Sequence, residues 1–283
     1  MMKIARAALF GLVPAEALLA VLLVSGVALP RPVLVAAEIV VLAVLALEAV
    51  ALWRVYRATR QDGAGRKAAL RAAYEQLVPV QVRRLMSFDA KGMVSLVLWV
   101  TGRKHGVPAG AAAFSYASEQ VVLMAGFLFA SVIELVGVEI LLRSLDAPAG
   151  LRMVVLVLDA YGILIALAVI ACCITRPHVV SSGELRIRSG AFFDLRIPRE
   201  LIVAVQHKRN YNETGMLKVD GDVLALSVNS QTNLIVELAE PVVAVRPLGR
   251  REQVRVVRFF ADDPSGAFAA LSAGRDAAAA PAR

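Results

Sequence analysis

The sequence predicts an integral membrane α-helical bundle, with four transmembrane helices and one interfacial helix, followed without a spacer by a cytoplasmic antiparallel β domain that closes with a helix. Two observations lead there. Residues 153–175, MVVLVLDAYGILIALAVIACCIT, hold one ionisable group, Asp159, over a length that crosses a hydrocarbon core of ~30 Å as a helix. Past Arg176 the apolar period changes from continuous to alternating, with Leu185 and Ile187 set against Arg186 and Arg188, which is the pattern of a half-buried strand. Composition agrees: 58% of residues are hydrophobic and 19% charged, and the apolarity is gathered in runs rather than spread through a core.

The formal charge is +8, but the cations bunch beside the apolar runs, where the positive-inside rule expects them, so no nucleic-acid partner is needed to explain them. Cys172 and Cys173 are neighbours, poorly placed for an ordinary disulfide, and read as small apolar fillers. Richness in Ala, Val, Arg and Leu with few Lys and Asn points to a high-GC bacterium and its cytoplasmic membrane.

Taken in order, residues 7–29 form the first crossing. Glu16 inside that apolar run argues against a cleaved signal peptide. Pro30-Arg31-Pro32 forces a turn, and a second crossing covers about 33–54, with Glu38 and Glu48. The segment 54–119 is strongly basic and therefore cytoplasmic. Within it Met93 to Val100 is too short to span, and Val80 to Thr101 is expected to lie in the interface, burying a Leu85, Phe88 and Leu96 face between bundle and β domain. Crossings three and four cover about 120–143 and 153–175, joined by an external turn, which puts both termini in the cytoplasm. The domains expected are thus 1–175 in the membrane, a β domain over 176–274, and a disordered tail over 275–283.

Residues 178–262 read as seven short β segments at about 179–188, 191–197, 201–209, the hairpin 215–219 with 223–228, 233–238, 241–246 and 252–260. Asp262-Asp263-Pro264-Ser265 is a helix start, with acids at the positive end of the dipole and Pro near the first turn. The stretches GELRIRSGAFFDLRIPRELI and VRVVRFFADDPSGAFAAL resemble the first strand pair and the last strand and helix of the pleckstrin-homology (PH) fold, as found in bacterial PH-like domains attached to membrane helices. The resemblance covers 178–274 and implies a seven-stranded antiparallel barrel with a C-terminal helix. It also implies a lipid-headgroup role for basic residues near the first hairpin, here Arg186 and Arg188.

Two constellations are candidates for chemistry. Glu16, Glu38, Glu134 and Asp159 lie in apolar runs, where ionisable groups are functional hypotheses. At about 1.5 Å per residue, Glu38, Asp159 and Glu134 fall about 7, 9 and 14 Å below the outer ends of their helices, and Glu16 near midplane, so the four can converge. Such a cluster serves an intramembrane enzyme on a lipid-soluble substrate through acid/base chemistry, handles a cation or protons, or fixes helix packing as neutral acids. Glu139 lies close enough to the outer edge to snorkel. The second constellation, Arg103, Lys104, His105, Ser115, Tyr116 and Glu119, sits at a cytoplasmic Gly/Ala-rich break and suits a phosphate-bearing headgroup. No GxSxG, Walker A, HExxH or CxxC pattern occurs, and no metal ligand set or cofactor is expected. The Asn212-Glu213-Thr214 sequon falls in the cytoplasmic part. The reading that results is a non-catalytic membrane protein whose β domain meets membrane lipids, anionic headgroups among them, a protein partner, or a second copy of itself. The alternative is the intramembrane enzyme.

Overall fold

The computed structural model describes residues 31–279 except 62, 64, 78, 79 and 248. The expected first crossing and Glu16 lie outside the described residues. Six helices are described: α1 (Arg31–Gln61), α2 (Arg66–Leu77), α3 (Val80–Val100), α4 (Ser118–Ser144), α5 (Ala149–Thr175) and α6 (Pro264–Ala279). α4 and α5 are each long and apolar enough to cross a membrane. α4 has no buried residue, and Phe127, Phe129, Ile133 and Ile140 all stand open on its surface. A helix apolar all round and uncovered by its own chain needs lipid or another apolar partner. The helix α6 runs to Ala279, so residues 275–279, expected to be disordered, are helical.

The described residues form two compact units. One holds residues up to Leu85 together with Ile133–Tyr161. In it α1 and α2 pack against each other, and the turn between α4 and α5 is closed by Glu139, which accepts from Arg143 Nε at 2.8 Å and Arg152 Nη2 at 2.5 Å.

The other unit, Met86–Val132 with Gly162 onward, carries nine strands in two sheets. The first sheet runs β1 (Ala112–Phe114), β2 (His178–Val180), β3 (Glu184–Ser189) and β4 (Phe193–Pro198) in that order, all antiparallel. The second contains β5 (Ile202–Asn210), β6 (Leu217–Asp220), β7 (Val223–Leu226), β8 (Thr232–Val245) and β9 (Arg251–Phe259), in the order β5-β8-β9-β7-β6. Alternation sets the faces. On β4 Phe193, Leu195 and Ile197 are buried while Asp194 and Arg196 look out. These side chains meet Leu224, Leu234, Val236, Val257 and Phe259 of the second sheet, with Ala267 and Leu271 of α6 completing the core.

Four features differ from the sequence reading. The sheets do not close into a barrel. A 3₁₀ turn at Arg199–Leu201 separates β4 from β5, and the Arg199 guanidinium fixes it by donating to the carbonyls of Ser181, Ala270 and Leu271. β7 pairs with β9 in parallel, Leu224 opposite Val257, so the domain is not wholly antiparallel. The segments 233–238 and 241–246 are one bent strand, β8, whose register shifts between Glu237 and Val242, where Pro241 has no amide hydrogen to give the ladder. Strand β1 comes from ahead of α4, where no strand was expected. It pairs Ala112 with Val180 and Phe114 with His178.

In the same unit α3 lies on the end of α5, where a Cβ added to Gly92 would be 3.1 Å from that of Ala168. Small residues allow that approach. Further along, Phe88 stacks on Phe192 of the β3–β4 turn at 4.5 Å between centroids. Phe88 is thus engaged as expected, Leu96 is half-buried rather than buried, and Leu85 is 64% exposed. A charge forced into the Phe88 stack loses its solvation. Phe88→Glu should therefore destabilise this unit by on the order of 3 kcal/mol, against about 0.5 kcal/mol for Ser87→Glu on the exposed side. Thermal unfolding of the full-length variants in detergent measures the difference, and equal melting would show that the stack holds nothing together.

Candidate functional site

The polar residues of the second unit gather where α5 passes into β2. The loop after α3 is the starting point: Gly102 and Gly106 have φ of +67° and +59°, which allow a compact turn. The backbone amide of His105 donates to the last carbonyl of α5, on Thr175, at 2.8 Å. The Arg188 guanidinium then donates to the carbonyls of His105 (2.7 Å) and Gly106 (3.0 Å). A Cβ at Gly106 would stand 2.9 Å from Arg188 Nη2, so this grip and the turn both require glycine.

Arg188 is a buried cation, its side chain 1% exposed. Its Nε has no hydrogen-bond partner and lies 3.9 Å from Asp194 Oδ1. Burial, with Arg186 beside it, lowers its pKa from the usual arginine range. Arg186 forks onto Asp194, Nε to Oδ1 at 2.7 Å and Nη2 to Oδ2 at 2.5 Å. Burial opposes ionisation of Asp194, but this fork outweighs it and holds the carboxyl below its ordinary value.

Beneath this layer lies His178, wholly enclosed. Its Nδ1 accepts from the backbone amide of Arg188 at 3.1 Å, so Nε2 carries the proton and donates to the Phe260 carbonyl at 2.9 Å. The ring is stacked on Tyr116 at 4.6 Å and meets the edge of Phe259 at 5.1 Å. Tyr116 accepts from the Gly190 amide at 2.6 Å, and burial raises its phenol pKa. Burial also pushes the His178 imidazole down to about 4, with Arg188 adding to the effect, so it is neutral at pH 7.

Two further contacts bind helix ends to strands. Arg176, buried, donates from Nε to Ser95 Oγ of α3 at 3.1 Å. Asp262, after β9, caps α4: it accepts from Ser118 Oγ at 2.5 Å and from the Ser118 amide at 3.2 Å, while its own amide donates to the Ser115 carbonyl at 2.8 Å. Asn233 pairs both ways with the Ala261 backbone, fixing the chain that delivers Asp262.

The headgroup constellation therefore divides. Arg103, Lys104 and Glu119 are exposed. Tyr116, Arg186 and Arg188 are not free to meet a headgroup as expected, because Tyr116 and Arg188 are buried in the joint and Arg186 is engaged by Asp194. His105 is half-buried, and burial together with Arg176 and Arg188 lowers its pKa, so it brings no charge at neutral pH. Of the carboxylates, Glu134 is exposed and Asp159 half-buried. Glu38 lies on α1, and its side chain, like Glu16, is outside what is described. Among the described residues no three His, Cys, Asp or Glu side chains are grouped to hold a metal ion. Sequence reasoning did not single out Ser95, Arg176, His178, Phe192 or Asp262 as parts of a joint. The one signal available was the Arg176-Pro177-His178 run placed directly at the end of an apolar helix.

Comparison with models of known families, with curated proteins and with solved structures gives no match. What the arrangement does is read from its geometry: it holds the start of α4, the end of α5 and the middle of α3 to the first sheet.

His178 gives this joint a pH dependence. Its folded-state pKa is depressed, so the associated stability is complete above the ordinary histidine value of 6.5 and is lost as pH falls toward 4. Between pH 7 and pH 4 the loss should be about 3 kcal/mol. His178→Gln, which keeps a donor and an acceptor but cannot charge, should lack that component. Denaturation of both proteins at each pH checks this, and parallel pH profiles would place the acid sensitivity elsewhere.

Proposed function

We propose that this chain is a non-catalytic, multi-pass protein of a bacterial cytoplasmic membrane whose PH-like β domain, held at the inner leaflet, engages lipid or a partner protein there. The observation that carries this reading is the joint itself. α5 continues into β2 without a linker, and Arg176 ties the end of α5 to α3 while His178, Arg188 and Asp262 tie strands to loops and a helix end, rather than forming an open reaction site. A domain so attached stays at the surface from which α5 emerges. α4, which has no buried residue and many exposed apolar ones, supports a lipid environment, and the exposed Arg103 and Lys104, on the loop gripped by Arg188, supply cations on the same side. The basic segment 54–119 favours the cytoplasmic side for that surface, with four crossings and both termini inside.

Accessibility labelling tests the orientation. In a background with Cys172 and Cys173 replaced, Ser144→Cys, at the turn after α4, should react with an impermeant maleimide in intact cells. Asp220→Cys, in the exposed β6–β7 turn, should react only after permeabilisation. The reverse pattern would turn the protein over and remove the inner-leaflet assignment.

A further inference from the structure

One surface of the second unit borders the joint at Phe192 and extends away from it. An apolar groove is lined by Ser189, Phe192, Phe193, Met216, Leu217 and Pro247. It continues, through Leu217 and Pro247, into a recess flanked by Arg246 and Arg250. Phe192 and Met216 are 43% and 50% exposed, so two large apolar side chains stand open at one place, which a water-facing surface seldom keeps unless something covers it. Among the described residues of the groove lining Ser189 is the one with a polar side chain, and it directs its hydroxyl to Met216 Sδ at 3.9 Å. Hydrocarbon is accommodated here, whereas the amides of a peptide would find no side-chain partner.

Position and charge say what hydrocarbon. The β3–β4 turn that forms one wall touches the end of α5: a Cβ at Gly190 would lie 3.5 Å from Cys172 Cβ and 3.6 Å from Cys173 Sγ. The groove thus opens beside the last turns of an apolar helix long enough to span a membrane. At its other end the turn between β8 and β9 is fixed by the Arg246 amide donating to the Arg250 carbonyl at 2.8 Å, which sets the two arginines side by side. Both contact Glu252 Oε1, Arg250 at 2.7 Å and Arg246 at 3.5 Å. Two guanidiniums therefore share one carboxylate at this end of the groove.

We infer that this groove seats an acyl chain of an anionic phospholipid of the bilayer, with Arg246 and Arg250 holding the phosphate. The inference rests on the proposed membrane placement and adds to it a particular site and a charge preference. Guanidinium pairs match phosphate oxygens in geometry as well as charge, and the chain then lies along Phe192, Met216 and Leu217.

The test uses the full-length protein in phosphatidylcholine nanodiscs containing a small fraction of either phosphatidylglycerol or phosphatidylcholine with a diazirine in the acyl chain, with labelled peptides mapped by mass spectrometry. Phosphatidylglycerol should label the peptides of Phe192–Phe193 and Met216–Leu217 in preference to phosphatidylcholine. Arg246→Glu with Arg250→Glu should lower that preference by roughly fivefold for each cation lost and leave labelling of α4 and α5 unchanged. Met216→Glu, an exposed position, should remove groove labelling without lowering the melting temperature. Equal labelling by the two lipids, insensitivity to the arginine changes, or domain labelling confined to Arg103 and Lys104 would overturn the groove and leave the membrane reading intact. Absence of label from α4 and α5 themselves would overturn the membrane reading as well.

Discussion

The fold of the second unit depends on one neutral imidazole. His178 begins β2, bonds through Nδ1 to β3 and through Nε2 to the chain leaving β9, and is enclosed between Tyr116 from the approach to α4 and Phe259 from β9. Four segments distant in sequence are brought together by a ring with one donor and one acceptor, both satisfied. That arrangement works in one protonation state. With a second proton the ring would turn a donor toward the Arg188 amide and set a charge beside Arg188.

Two buried arginines surround this centre, and among the described residues neither donates a hydrogen bond to a carboxylate, the nearest carboxylate oxygen to Arg188 being Asp194 Oδ1 at 3.9 Å from its Nε. A buried cation is tolerated when its hydrogens find acceptors, and leaving one unpaired costs several kcal/mol. Arg188 satisfies its two terminal nitrogens with carbonyls of a glycine turn while its Nε stays without a partner, and Arg176 gives its Nε hydrogen to a serine hydroxyl on α3. Arg176 follows the last residue of α5, where the carbonyl end of a helix attracts positive charge. The arginines therefore act as fasteners between a helical part and a sheet part, and the exposed cations at 103 and 104 remain for the solvent or lipid side.

Much of the architecture was legible because it is written in local periodicity. The run 153–175 lies within α5, alternation located β4 and β9 but read as one strand the segment 179–188 that is the antiparallel pair β2 and β3, and Asp263 supplies the expected start of α6, its Oδ1 accepting from the Gly266 amide at 2.9 Å. What escaped the sequence is what depends on partners far along the chain. Ala112–Phe114 has little strand propensity and becomes a strand only because β2 offers it an edge. Arg186 and Arg188 do share the face that alternation assigns to solvent, but the turn at 105–106 covers it, and nothing near 188 announces that cover. The same holds for Tyr116, expected at a membrane surface and found in a core. The carboxylates were placed by depth along helices, a coordinate that carries no information about which way each helix turns. The apolar groove had no signature, since its walls come from three separate turns.

The Asp262 cap on α4 also says something about the order in which this chain can become itself. Ser118 and Asp262 are 144 residues apart, and the helix they complete ends at Ser144. A chain synthesised from its N terminus has finished α4, then α5, and most of both sheets before the carboxylate that caps α4 exists. For all that time the first amides of the helix depend on water or on provisional partners. Completion of β9 is thus the event that finishes a helix made long before it, and any truncation short of residue 262 leaves α4 without its cap.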